Sequence, residues 1–150
     1  MKEAIRLSMT GMANNEGGPF GAVIVRNNQI IGRGNNQVTS TNDPTAHAEM
    51  IAIREACKNI GSHQLEDCDV YTSCEPCPMC LAALYWARVR KIYYGCSRND
   101  AAAIGFDDDF IYEEIGKDLN QRSIDMEALD REAALKAFLA WQQKPDKTEY

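Results

Sequence analysis

Apolar positions recur along this chain in two alternating rhythms. Ile5, Met9 and Met12 fall at helical intervals between Lys2 and Asn14, and Gly17-Gly18-Pro19 interrupts the pattern, which predicts a short amphipathic opening helix. An apolar, β-branched run from Phe20 to Val25 and a second around Ile30 and Ile31 flank Asn27-Asn28, so a β-hairpin is expected. Asp43-Pro44 offers a helix start and Gly61 its stop. A third strand is read at residues 69–73, a helix at residues 77–88 opening at Pro76, and a fourth strand at residues 91–95. Residues 98–123 are mixed and turn-like, with Phe110, Ile111 and Tyr112 as a short element. Asp125 is placed to cap a last helix in which Ala134, Phe138 and Trp141 share a face and which Pro145 stops. Strands alternating with helices make this an α/β chain.

Composition narrows the setting. At 150 residues the chain suits one domain spanning residues 1–150. A charged start followed by an apolar stretch is missing, as is any run of eighteen apolar residues, so neither export nor membrane insertion is expected and the chain reads as cytoplasmic. Three of its six cysteines fall within seven residues, which points to reduced thiols and a metal rather than a disulfide framework. A formal charge of −6 speaks against a nucleic-acid partner, because phosphate binding calls for concentrated basic surface.

Two segments carry the chemistry: Thr45-Ala46-His47-Ala48-Glu49 and Ser73-Cys74-Glu75-Pro76-Cys77-Pro78-Met79-Cys80. One histidine and two cysteines, His47, Cys77 and Cys80, give three zinc ligands and leave the fourth tetrahedral position for water. Cys77 and Cys80 stand three residues apart at a helix start, where the positive end of the helix dipole favours thiolate. His47 and Glu49, two residues apart, would point in opposite directions in mid-helix, about 200° apart, so the site belongs at the first turn of that helix. Glu49 is then the base that takes a proton from water and returns it to the ring and the departing amine, which is hydrolytic deamination. A competing reading adds Cys74 as a fourth ligand and makes a closed structural zinc site without catalysis. Cys57, Cys68 and Cys96 read as buried small apolar residues rather than ligands and His63 as a surface loop residue.

The HxE and PCxxC pair is the signature of the zinc deaminases. With GGPFGAVIV (17–25), GNNQV (34–38), NDPTAHAE (42–49), YTSCEPCPMC (71–80), GFDDDFIY (105–112) and a final tyrosine, the chain resembles the small bacterial guanine deaminases of the cytidine deaminase-like superfamily over nearly its whole length. The resemblance implies a three-layer α/β/α fold with a mixed five-stranded sheet. It implies one zinc per subunit on His47, Cys77 and Cys80, with Glu49 as proton shuttle. It further implies a purine-base pocket of Asn36, Phe20, Trp86, Asp108 and Tyr150, with Asp107 or Asp109 in place of Asp108 if the loop register differs. A carboxylate suits guanine's N–H donors and an aromatic wall its flat face. The resemblance also implies a homodimer in which the C-terminal segment, about residues 125–150, crosses to the neighbouring subunit.

Hydrolysis of guanine to xanthine and ammonia is the leading expectation. A nucleoside or tRNA adenosine deaminase of the same superfamily is the alternative among enzymes, and a structural zinc module is the non-enzymatic one.

Overall fold

The computed structural model describes residues 1–149, so Tyr150, placed by resemblance in the substrate pocket, lies outside the described residues. Its elements are α1 (Lys2–Ala13), β1 (Gly21–Arg26), β2 (Gln29–Asn35), α2 (Val38–Thr41), α3 (Ala48–Ile60), β3 (Cys68–Cys74), α4 (Pro78–Trp86), β4 (Lys91–Cys96), α5 (Arg98–Ala102), α6 (Asp109–Gly116) and α7 (Arg131–Gln143), with a 3-10 turn at Leu119–Gln121 before α7. They divide between two compact units, Met1–Asp108 and Asp109–Tyr150.

The first unit is built on a mixed sheet in the order β2-β1-β3-β4. β1 pairs antiparallel with β2 and β3, while β3 and β4 run parallel. The expected hairpin forms because Asn27 and Asn28 both accept positive φ (50° and 61°), the conformation that matches a two-residue turn to the twist of its strands. The sheet has four strands among the described residues, which corrects the expectation of five. After β4 the chain turns helical: Ser97 opens α5 through a reciprocal capping box with Asp100, and Phe110, Ile111 and Tyr112 fall inside α6.

Strand alternation gives the two faces different partners. On one, Ala22, Ile24, Cys68 and Val70 pack with Ala48, Ala52 and Ala56 of α3, Leu84 of α4, and Leu65 and Ala87. On the other, Gly21 meets the backbone of α1 at Ala4 and Ser8. Small residues set the separation between β2 and α3. A Cβ at Gly32 would lie 2.3 Å from the Ala52 carbonyl oxygen, and one at Gly34 would lie 2.1 Å from that of Ala48.

α3 begins at Ala48, later than Asp43-Pro44 suggests. Asp43 Oδ1 instead accepts from the Thr45 amide (2.8 Å) and hydroxyl (2.7 Å), closing a local turn, and the Ala46 carbonyl accepts from the Gln37 amide (2.9 Å). Gly61 ends α3 in the left-handed conformation (φ 65°).

In the second unit α6 and α7 are helical, and none of the described residues is buried. α7 starts at Arg131, six residues after the Asp125 cap signal. Residues 125–130 form no helix or strand, and Asp130, in the left-handed conformation (φ 52°), takes up the N-cap position.

Candidate active site

The N-termini of α3 and α4 meet at the edge of the sheet where β2, β3 and β4 end and β1 begins. This is the position at which open α/β sheets present their ligand sites. His47 is the N-cap of α3, in extended conformation (ψ 155°), and Glu49 sits one residue inside the helix. Because the cap residue stands off the helical path, His47 and Glu49 escape the opposed orientation of a mid-helix pair. Cys77 holds the equivalent N-cap position of α4, Pro78 follows at its first turn, and Cys80 lies within that turn.

His47 Nδ1 is 3.5 Å from Cys77 Sγ and 3.6 Å from Cys80 Sγ, and the three ligand atoms lie within 4.8 Å of one another. A tetrahedral zinc with ordinary Zn–S and Zn–N bonds separates sulfur from nitrogen by about 3.5 Å, so the donor set fits the ion in kind and spacing. Within the trio one thiol is acidified in advance. Cys77 is pulled down to about 4 by hydrogen bonding from the Cys80 thiol and then from His47, against the push of burial. Cys80 is raised, first by its bond to Cys77 and then by burial. His47 is raised, chiefly by Cys77. The arrangement holds a negative charge on one sulfur at the place a cation would sit.

Cys74 stands apart from this trio. Its thiol donates to the Ser97 carbonyl at 3.6 Å, and burial lifts it to about 11. The four-ligand closed site therefore lacks its fourth ligand, and three donors leave an open position. Glu49, 6% exposed, faces the trio closely enough that its carboxyl and the Cys80 thiol act on one another's acidity. Burial raises Glu49, opposed by the hydrogen bonds its carboxyl accepts from its own backbone amide and from the Thr72 hydroxyl, which donates to Oε1 at 3.0 Å.

Of the expected pocket residues, Asn36 and Phe20 are joined at this edge: the Asn36 amide donates to the Phe20 carbonyl at 3.0 Å. Asn36 Oδ1 accepts from the backbone amides of Gly18 and Val38, both at 3.2 Å, so the side-chain amino group remains as its donor. Gly17 makes this possible, since a Cβ there would lie 2.1 Å from Oδ1. Phe20 is half-buried and meets Phe106 edge-on, ring centres 4.9 Å apart. Asp108 is half-buried between the exposed Asp107 and Asp109. Trp86 is not brought to the ligand trio. It ends α4, about 9 Å of helix rise beyond Cys80, and is 67% exposed.

Sequence reasoning passed over Thr72 and Glu75. Thr72 was legible only as one more inward position of a strand. Glu75 sits inside the cysteine motif, and its Oε2 accepts from the Arg98 amide at 3.0 Å, tying the motif to the start of α5.

The family profile of the cytidine and deoxycytidylate deaminase zinc-binding region matches residues 1–96. The chain belongs to that family. It is 51% identical to a guanine deaminase of Bacillus subtilis over 150 residues, all of this chain and 96% of that protein. An X-ray structure of guanine deaminase from Bacillus subtilis superposes with a TM-score of 0.96 at 52% identity, covering 99% of this chain and 95% of that one. A tRNA-specific adenosine deaminase of Agrobacterium fabrum is 43% identical over 86 residues, 57% of this chain and 57% of that protein. That likeness covers 57% of the chain, whereas the likeness to guanine deaminase runs through the second unit.

Proposed function

We propose that this protein hydrolyses guanine to xanthine and ammonia, with one zinc ion held by His47, Cys77 and Cys80 and with Glu49 carrying the protons. The observation that supports this most directly is a buried carboxylate beside three preassembled ligands in a chain matching guanine deaminase from end to end. Zinc, when bound, supplies the Lewis acidity that brings water within reach of deprotonation near neutral pH. Glu49 accepts the proton as the water oxygen bonds to C2 of guanine, and passes it to N3. It then delivers the second hydroxyl proton to the exocyclic amine, which leaves as ammonia while the C2 carbonyl forms. Water and guanine are consumed, xanthine and ammonia appear, and Glu49 ends as it began.

Recognition falls to the ring's edges and faces. The side-chain amino group of Asn36 suits a purine acceptor, the Asp108 carboxylate suits guanine's N–H donors, and Phe20 suits the flat ring. Trp86 and Tyr150 enter with the proposed dimer, in which the C-terminal segment, about residues 125–150, crosses to the neighbour. Exposed apolar side chains support that reading: Leu129 is 87% and Phe138 73% exposed, and β4 presents Tyr94 at the sheet margin. A cytoplasmic setting accords with six free cysteines. No described helix is long and apolar enough to cross a membrane.

Ammonia release from guanine, guanosine, adenine, cytosine and cytidine, and from a tRNA anticodon stem, tests the proposal. Turnover of guanine well above the others is expected; turnover of the tRNA with none of guanine would replace it.

A further inference from the structure

We infer that Thr72 is a positioning residue for the deamination, dividing the labour between the two oxygens of Glu49: Oε1 is anchored by the Thr72 hydroxyl, and Oε2 carries the proton. The inference rests on Glu49 being the proton carrier proposed above.

Thr72 lies on β3, the strand held on both sides by β1 and β4, and its backbone partners are Ala22 and Tyr94. Its neighbours on the same face, Val70 and Cys74, are buried, and Thr72 itself is 1% exposed. Valine would fill that space as well and would suit the strand, so packing alone gives no reason for a hydroxyl here. The hydroxyl has a use: it donates to Glu49 Oε1 at 3.0 Å, with both side chains buried. A β-branched side chain on a central strand is stiff about χ1, so its donor is fixed in space. Glu49 has three side-chain torsions, and without an anchor its carboxyl group can turn away from the ligand trio. A carboxyl held by one oxygen retains the other for exchange with water, N3 and the leaving amine. Thr72 keeps its own proton throughout and touches no reacting atom.

The test compares Thr72→Val, Thr72→Ser and Glu49→Gln with the parent protein, each loaded with zinc, on the substrate that the parent turns over. Thr72→Val removes the hydroxyl and keeps the shape. It should lower kcat about ten- to a hundredfold, since it takes a hydrogen bond from a charged group. KM should stay within about threefold, with about one zinc per chain and an unchanged circular dichroism spectrum. Thr72→Ser restores the donor and should recover most of kcat. Wild-type kcat in Thr72→Val overturns the inference, and so does a loss that follows zinc content or that serine fails to rescue. If Thr72→Val does not fold, Thr72→Ala, which cannot overpack, carries the same comparison with the serine variant. A fully active Glu49→Gln would instead overturn the underlying mechanism, so the two failures are distinguishable.

Discussion

At the residue scale, one short stretch holds two different answers to the question of what a cysteine is for. Cys77 and Cys80 converge on His47 Nδ1 and are tuned as a pair, while Cys74, three residues earlier, spends its thiol on a backbone carbonyl and stays protonated. Glu49→Gln should therefore keep the fold and about one zinc per chain while losing a factor of about 10² to 10⁴ in turnover, measured by ammonia release and metal analysis. Cys77→Ala or Cys80→Ala should lose metal and activity together. Cys74→Ala should keep both, at a small cost in stability from one lost buried contact. Zinc loss in Cys74→Ala would return the closed-site reading.

At the scale of elements, the site depends on how closely two helices approach a sheet. His47 caps α3, and α3 rests on β2 through glycines that leave no room for a side chain. Gly34→Ala would set a Cβ 2.1 Å from the Ala48 oxygen and 2.8 Å from the Ala52 nitrogen, both backbone atoms that cannot swing aside. The expected cost is about 1 to 3 kcal/mol of stability, read by denaturant unfolding. Weaker zinc affinity should accompany it, because the helix that must move carries the histidine. A second element-level prediction concerns pH. Arg90 donates to both oxygens of Asp69, at 2.9 and 2.8 Å, tying the start of β3 to the turn before β4. That pairing holds the Asp69 carboxyl below its ordinary value. A lowered folded-state value stabilises above the unfolded value of about 3.9 and ceases to do so as pH falls through the folded one. Melting curves of wild type and Asp69→Asn should differ most near neutrality and converge in acid; a gap that widens in acid would contradict the assignment.

At the scale of the whole molecule, the second unit does not bury a single described residue, although Ile124, Leu129 and Phe138 are among its side chains. A segment of this kind gains its order from a surface it covers. In the proposed dimer that surface belongs to the neighbour, and removal of residues 148–150 should leave zinc binding intact while depressing guanine deamination. The decisive experiment refolds two inactive proteins together, one lacking residues 148–150 and one carrying Glu49→Gln. If the tail works across subunits, half the dimers are mixed and each holds one repaired site, so about a quarter of all sites regain activity. If the tail serves its own chain, mixing restores nothing.

The metal chemistry was readable without coordinates because ligand identity and short spacing are local properties. His47, Cys77 and Cys80 name the ion and the open position, Glu49 is the proposed base beside them, and Asn27-Asn28 and Gly61 mark a turn and a helix end through their tolerance of positive φ. Hydrophobic rhythm located the opening helix, the hairpin and the parallel pair to within a few residues. Helix starts were less legible. Asp43 and Asp125 carry cap chemistry, yet the same oxygen that caps a helix also closes a turn, and long-range bonds such as Gln37 to Ala46 decide between them. The strand number, the exclusion of Cys74 from the ligand trio and the grip of Thr72 on Glu49 were settled by packing. The last two each set residues 23 positions apart face to face, and no local pattern in a chain encodes which distant group a buried hydroxyl or thiol will meet.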